Sequence, residues 1–326
     1  QGDVGSGKTI VAVFILLQAV ENNFQTAIMA PTEILAQQHL QSFTSYLDHL
    51  GIKVAFLSGS QNTEERRAQI NLIASGKAQV VIGTHALFQE SVSFNNLGLV
   101  IIDEQHKFGV HQRLSLAQKA KKVPHQLVMT ATPIPRSLTM SVYADLDTSV
   151  IDELPPGRQK IETIALSNNR RDEVVERIKQ VCTEGKQIYW VCTLIEESEV
   201  LRAESAEKTY LYLSKKLEGI KVVMIHGRLN KAEKEIIMQD FAKEEINVLV
   251  ATTVIEVGLN VPNASLMIVE NAERLGLAQL HQLRGRVGRG SEKSVCVLMY
   301  QSPLSDSAKQ RLDILRHSND GFVIAQ

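Results

Sequence analysis

The chain has 326 residues, of which 44% are hydrophobic and 22% are charged, and its formal net charge is -1. This length favours two domains, and the composition is ordinary for a globular protein. The balanced charge excludes overall basicity as a sign of nucleic-acid binding, so any site for a polyanion would have to be a local patch.

The cysteines favour a reducing environment. There are three, at positions 182, 192 and 296, and they form no CxxC pair. Such a set fits a cytoplasmic protein better than a disulfide framework or a zinc site. The longest apolar run, residues 10–20, is too short to span a bilayer and is expected to be a buried helix. No signal peptide is visible, so we expect a cytoplasmic protein that does not bind membranes.

The chain opens on "QGDVGSGKT", which satisfies the P-loop pattern with Gly2, Gly7, Lys8 and Thr9. Gly5 and Gly7 allow backbone N–H groups to turn towards phosphate oxygens, and Ser6 lies between them. Lys8 is placed to reach the β- and γ-phosphates of a nucleotide, and the Thr9 hydroxyl to bind Mg²⁺. The pattern predicts nucleotide binding, and we expect the strand that feeds the loop to lie outside the chain.

Short apolar runs alternate with helical patterns along the chain, which predicts a doubly wound α/β fold. The strands expected in the first half are at 26–30, 54–59, 78–83, 97–103 and 126–131. "DELPPGRQ" at 152–159 marks a boundary, because adjacent prolines and a glycine interrupt the alternation. The strands expected after it are at 161–166, 187–192, 221–227, 247–252, 265–270 and 294–300. We predict two domains, 1–154 and 155–326, each with a mostly parallel sheet.

An acidic pair follows the apolar run "LGLVIID". Ligands of parallel sheets bind at the carboxyl ends of the strands, so Asp103 and Glu104 should face the P-loop. Asp103 suits Mg²⁺, through water, and Glu104 is placed to orient or deprotonate an attacking water. A solvated acidic loop is the alternative, and the P-loop upstream argues against it.

Two further segments carry polar residues at strand ends or on predicted helices. "TATPIPR" at 130–136 offers the hydroxyls of Thr130 and Thr132, which could hydrogen-bond to the acidic segment and sense the nucleotide.

"QLHQLRGRVGRG" at 279–290 clusters three arginines, Arg284, Arg286 and Arg289. Arg286 and Arg289 would share a face of a helix, and arginine neutralises charge on a transferring γ-phosphate. A P-loop in one domain and this pair in the other predict a composite site.

The order GDVGSGKT, APTEILAQQH, GTHAL, DEQH, TATPIPR, ATTVIEVGLNVPNAS, QLHQLRGRVGRG resembles the motif series of superfamily-2 helicases and translocases over essentially the whole chain. "DEQHKFGVHQR", "NAERLGLAQLHQLRGRVGRG" and "RHSNDGFVIAQ" resemble in particular the RecG family of bacterial ATP-dependent DNA helicases, which remodel stalled forks in repair and recombination. The transcription-repair coupling translocases are the nearest alternative. The resemblance implies two tandem RecA-like domains.

The resemblance also implies a role for individual residues. Gly5, Ser6, Gly7, Lys8, Thr9 and Asp103 would bind ATP and Mg²⁺, and Glu104, Gln282, Arg286 and Arg289 would be catalytic. Thr32, Thr84, His85, Arg228, Thr252 and Thr253 would grip the DNA backbone, and His106, Thr130 and Thr132 would couple the two activities. For the histidines, a structural or coupling role is expected rather than metal ligation, because no ligand spacing unites them.

The sequence departs from the family pattern at one position. Asn260 stands where the family usually has aspartate, so a charged contact is not expected there. The family's amino-terminal wedge domain and carboxyl-terminal coupling motif are also expected to be missing.

We therefore expect the motor core of an ATP-dependent DNA helicase or translocase, a monomer that acts on branched or forked DNA. The alternatives are a nucleotide-dependent clamp without sustained turnover and an RNA helicase of similar core. A GTPase switch lacks support because no NKxD-type guanine-reading tetrapeptide is found.

Overall fold

The computed structural model describes residues 1–2, 5–104, 108, 116, 119–130, 147–153, 159–193, 199–252, 261–288, 293–321 and 324. The described residues form two compact units. The first comprises those between 6 and 130, with 1–2 and 148–152, and the second is formed mainly by those from 153 onward.

The first unit is a five-stranded sheet with helices. Its helices are α1 (Lys8–Glu21), α2 (Glu33–Leu47) and α3 (Thr63–Ala74), and its strands are β1 (Gln25–Met29), β2 (Val54–Leu57), β3 (Val80–Gly83), β4 (Leu97–Asp103) and β5 (His125–Met129). The strand order is β2-β3-β1-β4-β5, and every pair is parallel. All five carboxyl ends therefore lie at one edge, where ligands of such sheets bind.

Both faces of this sheet are covered by apolar side chains, which explains why its strands are apolar runs without alternation. Every residue of β1 and β3 is buried. Ile28 and Ile82 belong to the cluster that includes α1 and α2, whereas Ala27 and Val81 belong to the cluster on the opposite face. Two of its helices, α2 and α3, begin at polar caps: Thr32 Oγ1 accepts from Leu35 N, and Asn62 Oδ1 accepts from Glu65 N.

The second unit is a six-stranded parallel sheet in the order β6-β11-β10-β7-β9-β8. Its strands are β6 (Glu162–Ser167), β7 (Gln187–Cys192), β8 (Val222–Ile225), β9 (Val248–Thr252), β10 (Ala264–Val269) and β11 (Val295–Tyr300). Its helices are α4 (Arg171–Thr183), α5 (Glu199–Lys216), α6 (Lys231–Ala242), α7 (Leu277–Arg284) and α8 (Asp306–His317). Apolar clusters again cover both faces.

The two sheets share one plan. Read from the other end, the second sheet runs β8-β9-β7-β10-β11-β6, so β7 corresponds to β1 and β10 to β4. Each central strand begins with a buried glutamine that binds the turn between a helix and the neighbouring strand, the α3–β3 turn in the first unit and the α6–β9 turn in the second. Gln25 Nε2 donates to the carbonyls of Ile73 and Ala78, and Gln187 Nε2 donates to those of Phe241 and Ile246.

The predicted α/β class and the parallel sheets are confirmed, and each strand expected from the sequence is present. The predicted boundary between 154 and 155 stays a prediction. Among the described residues, no helix is both long enough and apolar enough to cross a membrane.

Candidate functional site

The P-loop lies at the start of α1 and has the backbone that phosphate binding needs. Gly5 and Gly7 have φ of 75° and 94°, a region that glycine enters without the strain of a Cβ. Gly7 is the N-cap of α1 and has no side chain that could cap this end, so the N-terminus of the helix suits an anion.

Two side chains of the loop fit a phosphate ligand. Ser6 is 8% exposed, and its hydroxyl has no hydrogen-bond partner among the described residues. Lys8 Nζ donates to the carbonyl of Gly2 at 2.8 Å, so the ammonium folds back over the loop. Thr9 lies in the first turn of α1, half-buried. The buried Ser6 hydroxyl, the glycine at the helix N-terminus and the lysine folded over the loop together fit a nucleotide phosphate.

The acidic pair lies at the edge of the sheet where the P-loop is held. Asp103 is the last residue of β4 and pairs in register with Met129 of β5, so Thr130 follows beside Glu104. Gly2 N donates to the carbonyl of Thr130 at 3.4 Å, which ties the loop to this edge. The structure thus places Lys8, Thr9, Asp103, Glu104 and Thr130 at one end of the first sheet.

Asp103 is held by two hydrogen bonds, one on each carboxylate oxygen. Oδ1 accepts from the backbone N–H of Glu104 at 3.0 Å, and Oδ2 lies 2.8 Å from Nε2 of His39 on α2. Glu104 has φ of 50°, a left-handed conformation that is uncommon for a residue with a Cβ. This local strain turns the chain immediately after the strand, as is frequent at functional sites.

The same edge also carries the residues predicted to contact DNA in the first unit. Thr32 is the N-cap of α2, and Thr84 follows β3. Thr84 is 3% exposed and its hydroxyl has no partner among the described residues, whereas His85, the next residue, is exposed.

In the second unit, the predicted residues that the structure describes lie at the carboxyl edge of the sheet, on α7 or just after it. Thr252 ends β9, the counterpart of β3, and its buried hydroxyl also lacks a partner among the residues described. Arg228 is exposed in the turn after β8. Gln282 lies on α7 and Arg286 just after it, and both are half-buried. Near Arg228, the pKa of His226 is lowered by burial and then by the charges of Arg228 and Lys234.

Arg284 differs from the neighbouring arginine of its cluster. It is 2% exposed, and its guanidinium donates to the carbonyls of Leu315 and Ser318 at 2.9 and 2.7 Å. It also lies 2.9 Å from Nδ1 of His281. Arg284 therefore fixes α7 to the end of α8. This structural role distinguishes Arg284 from Arg286, which is half-buried.

At the position that corresponds to Asp103, the second unit has a buried carboxylate, that of Glu270. Arg171 pairs with it at 2.6 Å, and the indole N–H of Trp190 donates to it at 2.8 Å. The Arg171 guanidinium lies over the Trp190 and Tyr212 rings at 5.3 and 4.9 Å. Burial raises the pKa of Glu270, and Arg171 and Trp190 act in the opposite direction.

Some predicted residues lie outside the described part of the chain. They are His106, Thr132, Thr253, Asn260 and Arg289. Within the described part, no group of three His, Cys, Asp or Glu side chains could hold a metal ion.

Comparison with known proteins finds matches to helicases. The DEAD/DEAH box helicase family matches residues 1–141, and the helicase conserved C-terminal domain matches residues 166–291. RecG of Escherichia coli (strain K12), named as an ATP-dependent DNA helicase, is 59% identical over 330 residues that cover 100% of this chain. The chain is thus similar to RecG proteins over its whole length. It spans about half the length of these RecG relatives, 48% of the Escherichia coli protein.

Further RecG proteins and solved structures agree. RecG of Aquifex aeolicus (strain VF5) is 46% identical over the whole chain, which covers 42% of that protein. A structure of RecG bound to a three-way DNA junction is 45% identical, with a TM-score of 0.83 over 100% of this chain and 42% of that one. Saccharomyces cerevisiae Dbp5 bound to RNA and ADP BeF3 is 18% identical with a TM-score of 0.73, covering 99% of this chain and 82% of that one, and shares the fold.

Sequence reasoning did not single out His39, Glu270 or the clamp made by Arg284. For His39 a signal existed: it shares the buried face of α2 with Ala36 and Phe43 at helical spacing. Its partner is 64 residues away and is visible only in the fold.

Proposed function

We propose that the chain is the ATP-driven motor core of a DNA helicase or translocase that acts on branched or forked DNA. The observation that carries the proposal is the meeting of the P-loop with Asp103 and Glu104 at one sheet edge. This arrangement occurs in a chain that is 59% identical to a RecG protein over the whole length of the chain. The proposed substrates are ATP and DNA, and the proposed place of action is the cytoplasm.

The first domain would hold the nucleotide. Lys8 neutralises the β- and γ-phosphates, while Gly5, Ser6 and Gly7 offer backbone or hydroxyl hydrogen bonds to phosphate oxygens. Thr9 and Asp103 would hold Mg²⁺, which when bound supplies positive charge to the phosphates. Glu104 would orient the attacking water and accept its proton.

The second domain would supply cationic groups to the γ-phosphate. Arg286 and Arg289 would stabilise charge on the transferring group, and Gln282 would hydrogen-bond to it. Support comes from the half-buried positions of Gln282 and Arg286 at the end of α7, whose backbone is held by the Arg284 clamp. Hydrolysis would then require both domains.

DNA would be gripped through its backbone, without reading sequence. Thr84 and Thr252 support this, because both are buried hydroxyls at corresponding strand ends and neither has a partner among the described residues. Thr32, at the N-terminus of α2, can cap its helix and still donate to a phosphate, since a hydroxyl has one donor and two lone pairs. The other proposed contacts are His85, Arg228 and Thr253.

Alternate closing and opening of the two domains would drive movement along the strand. ATP would favour the closed state because both domains bind it there, and phosphate loss would remove that preference. Thr130, with His106 and Thr132, would transmit the state of the nucleotide to the DNA contacts. One domain would stay bound to the DNA backbone while the other domain moves.

Steady-state phosphate release by the full-length protein tests the proposal. Forked DNA should stimulate hydrolysis strongly, and Lys8→Ala should abolish it. A clear preference for structured RNA would contradict the DNA assignment. Binding of forked DNA without sustained phosphate release would favour a clamp instead of a motor. Sedimentation of the protein as a monomer is also expected.

A further inference from the structure

We propose that His39 is a positioning residue for Asp103 and links α2, the helix that begins at the DNA-contacting Thr32, to the nucleotide site. This inference rests on the proposed function. The two side chains meet at 2.8 Å between Nε2 and Oδ2. An ionised carboxylate only accepts hydrogen bonds, so Nε2 of His39 is the donor.

The imidazole ring of His39 is fixed by its surroundings. His39 lies on the buried face of α2 and is 7% exposed. The ring of Phe43, one turn later and fully buried, meets it edge-on at 5.8 Å between centroids. A ring held on one side by packing and on the other by a carboxylate has little rotational freedom, so it can set the orientation of Asp103.

The carboxylate of Asp103 is thereby held at both oxygens. Glu104 N binds Oδ1 and His39 binds Oδ2, which leaves each oxygen one lone pair for a further ligand or its water. The bond to Oδ1 also supports the left-handed backbone of Glu104, where φ is 50°. Loss of the His39 contact would free Asp103 to rotate and so loosen the backbone that places Glu104.

The helix connects this contact to the DNA side. Thr32 caps α2, and His39 follows seven residues later, about 10 Å along the axis. Glu33, 6% exposed, receives a hydrogen bond from the hydroxyl of Ser60, which holds the first turn of α2 in place. A phosphate bound at Thr32 would therefore act on the N-terminus of a rigid helix, and His39 on the same helix contacts Asp103.

The experiment compares His39→Leu with His39→Gln in the full-length protein. Leucine fills similar space without a donor, whereas the glutamine amide can place an N–H near the position of Nε2. For His39→Leu we expect the Mg²⁺ concentration that half-activates forked-DNA-stimulated ATPase to rise by about 10-fold or more, as for other residues that orient metal ligands. For His39→Gln, the Mg²⁺ concentration that half-activates the ATPase should lie much closer to that of the parent.

A binding measurement provides a readout besides turnover. The affinity for a fluorescent ATP analogue is measured with and without Mg²⁺. In His39→Leu, the affinity without Mg²⁺ should match that of the parent, and the gain on adding Mg²⁺ should be reduced. Leu47→Ala is the matched control, because it disturbs the same buried face of α2 two turns from His39 and leaves both the donor and the ring of Phe43: it should lower the melting temperature without changing the Mg²⁺ dependence.

An unchanged Mg²⁺ dependence in both assays for a folded His39→Leu protein would overturn the inference. If that variant does not fold, His39→Asn, which fits the space and is too short to reach Asp103, carries the same expectation. Failure of the proposed function would look different: the parent itself would show no ATPase stimulated by forked DNA.

Discussion

Lys8 and Arg171 occupy corresponding positions in the two units, each as the first residue of the helix that leads into the central strand. The strand beside each central strand is followed by an acid, Asp103 closing β4 and Glu270 coming directly after β10. In the second unit, Arg171 and Glu270 bind each other at 2.6 Å. The basic and acidic positions that are proposed to bind a nucleotide in the first unit are thus paired with each other in the second.

This pairing predicts that Glu270 serves stability. Glu270→Ala should lower the free energy of unfolding by about 2 kcal/mol, below the range for fully buried pairs because a third of the Arg171 side chain is exposed. Nucleotide affinity at the P-loop should not change. Urea unfolding followed by the fluorescence of Trp190, the chain's only tryptophan, checks it. Glu270→Gln, which can still accept from the indole, is the milder control; equal stability of Glu270→Ala and parent would contradict the prediction.

The pH dependence of this residue has a definite sign. Burial raises the pKa of Glu270, so in the ordinary titration range of a carboxyl the folded chain binds the proton more tightly than the unfolded chain. Stability from this group is therefore present at low pH and declines as pH rises through the raised pKa. Relative to Glu270→Gln, the parent should lose unfolding free energy over that interval. A difference between the two proteins that stays constant with pH would contradict the sign.

Substitutions of Arg284 and Arg286, in the QLHQLRGRVGRG segment, should have different effects on turnover and stability. Arg286→Ala should reduce turnover on the order of 10³-fold or more, if the arginine fingers of GTPases are a guide. Arg284→Met should instead lower the free energy of unfolding by about 3 kcal/mol, because hydrogen bonds to a buried charged group are lost at Leu315 and Ser318. Phosphate release and urea unfolding of both variants check this, and matching effects of the two would contradict it.

The thiols should be unreactive in the folded chain. Burial raises the pKa of Cys182 to about 11 and that of Cys296 to about 12, and the pKa of Cys192 is also well above its usual value. At pH 8, labelling by a thiol reagent should be about 100-fold slower than for exposed cysteines, since the thiolate is the reactive form. Unfolding in urea should make all three thiols reactive. Rapid labelling of the native chain would contradict this prediction, because it would show that the thiols are accessible.

The water-positioning role of Glu104 is tested by Glu104→Gln in the full-length protein. This variant should bind ATP with an affinity near that of the parent while hydrolysing it far more slowly, because an amide cannot accept the proton of the water. Nucleotide binding by fluorescence and single-turnover hydrolysis separate the two effects. A normal kcat would mean that another residue positions the water.

Much of the fold could be predicted from the sequence, because strands buried on both faces are short continuous apolar runs bounded by turns. Parallel pairing then brings Asp103, Thr130 and Thr84 to one edge without further information. The contacts made by side chains could not be predicted. Arg284 and Arg286 stand in the same cluster of arginines, and only the packing of α7 on α8 buries the first.

The roles assigned to the site residues remain predictions, including those of Arg289, His106, Thr132 and Thr253, which lie outside the described residues. The most direct test is a structure of the full-length protein with forked DNA and a non-hydrolysable ATP analogue. The distance from the guanidinium groups of Arg286 and Arg289 to the γ-phosphate should be about 3 Å, a hydrogen-bond contact. Phosphates bound at Lys8 with both arginines out of reach would contradict the proposal that the two domains share one ATPase site.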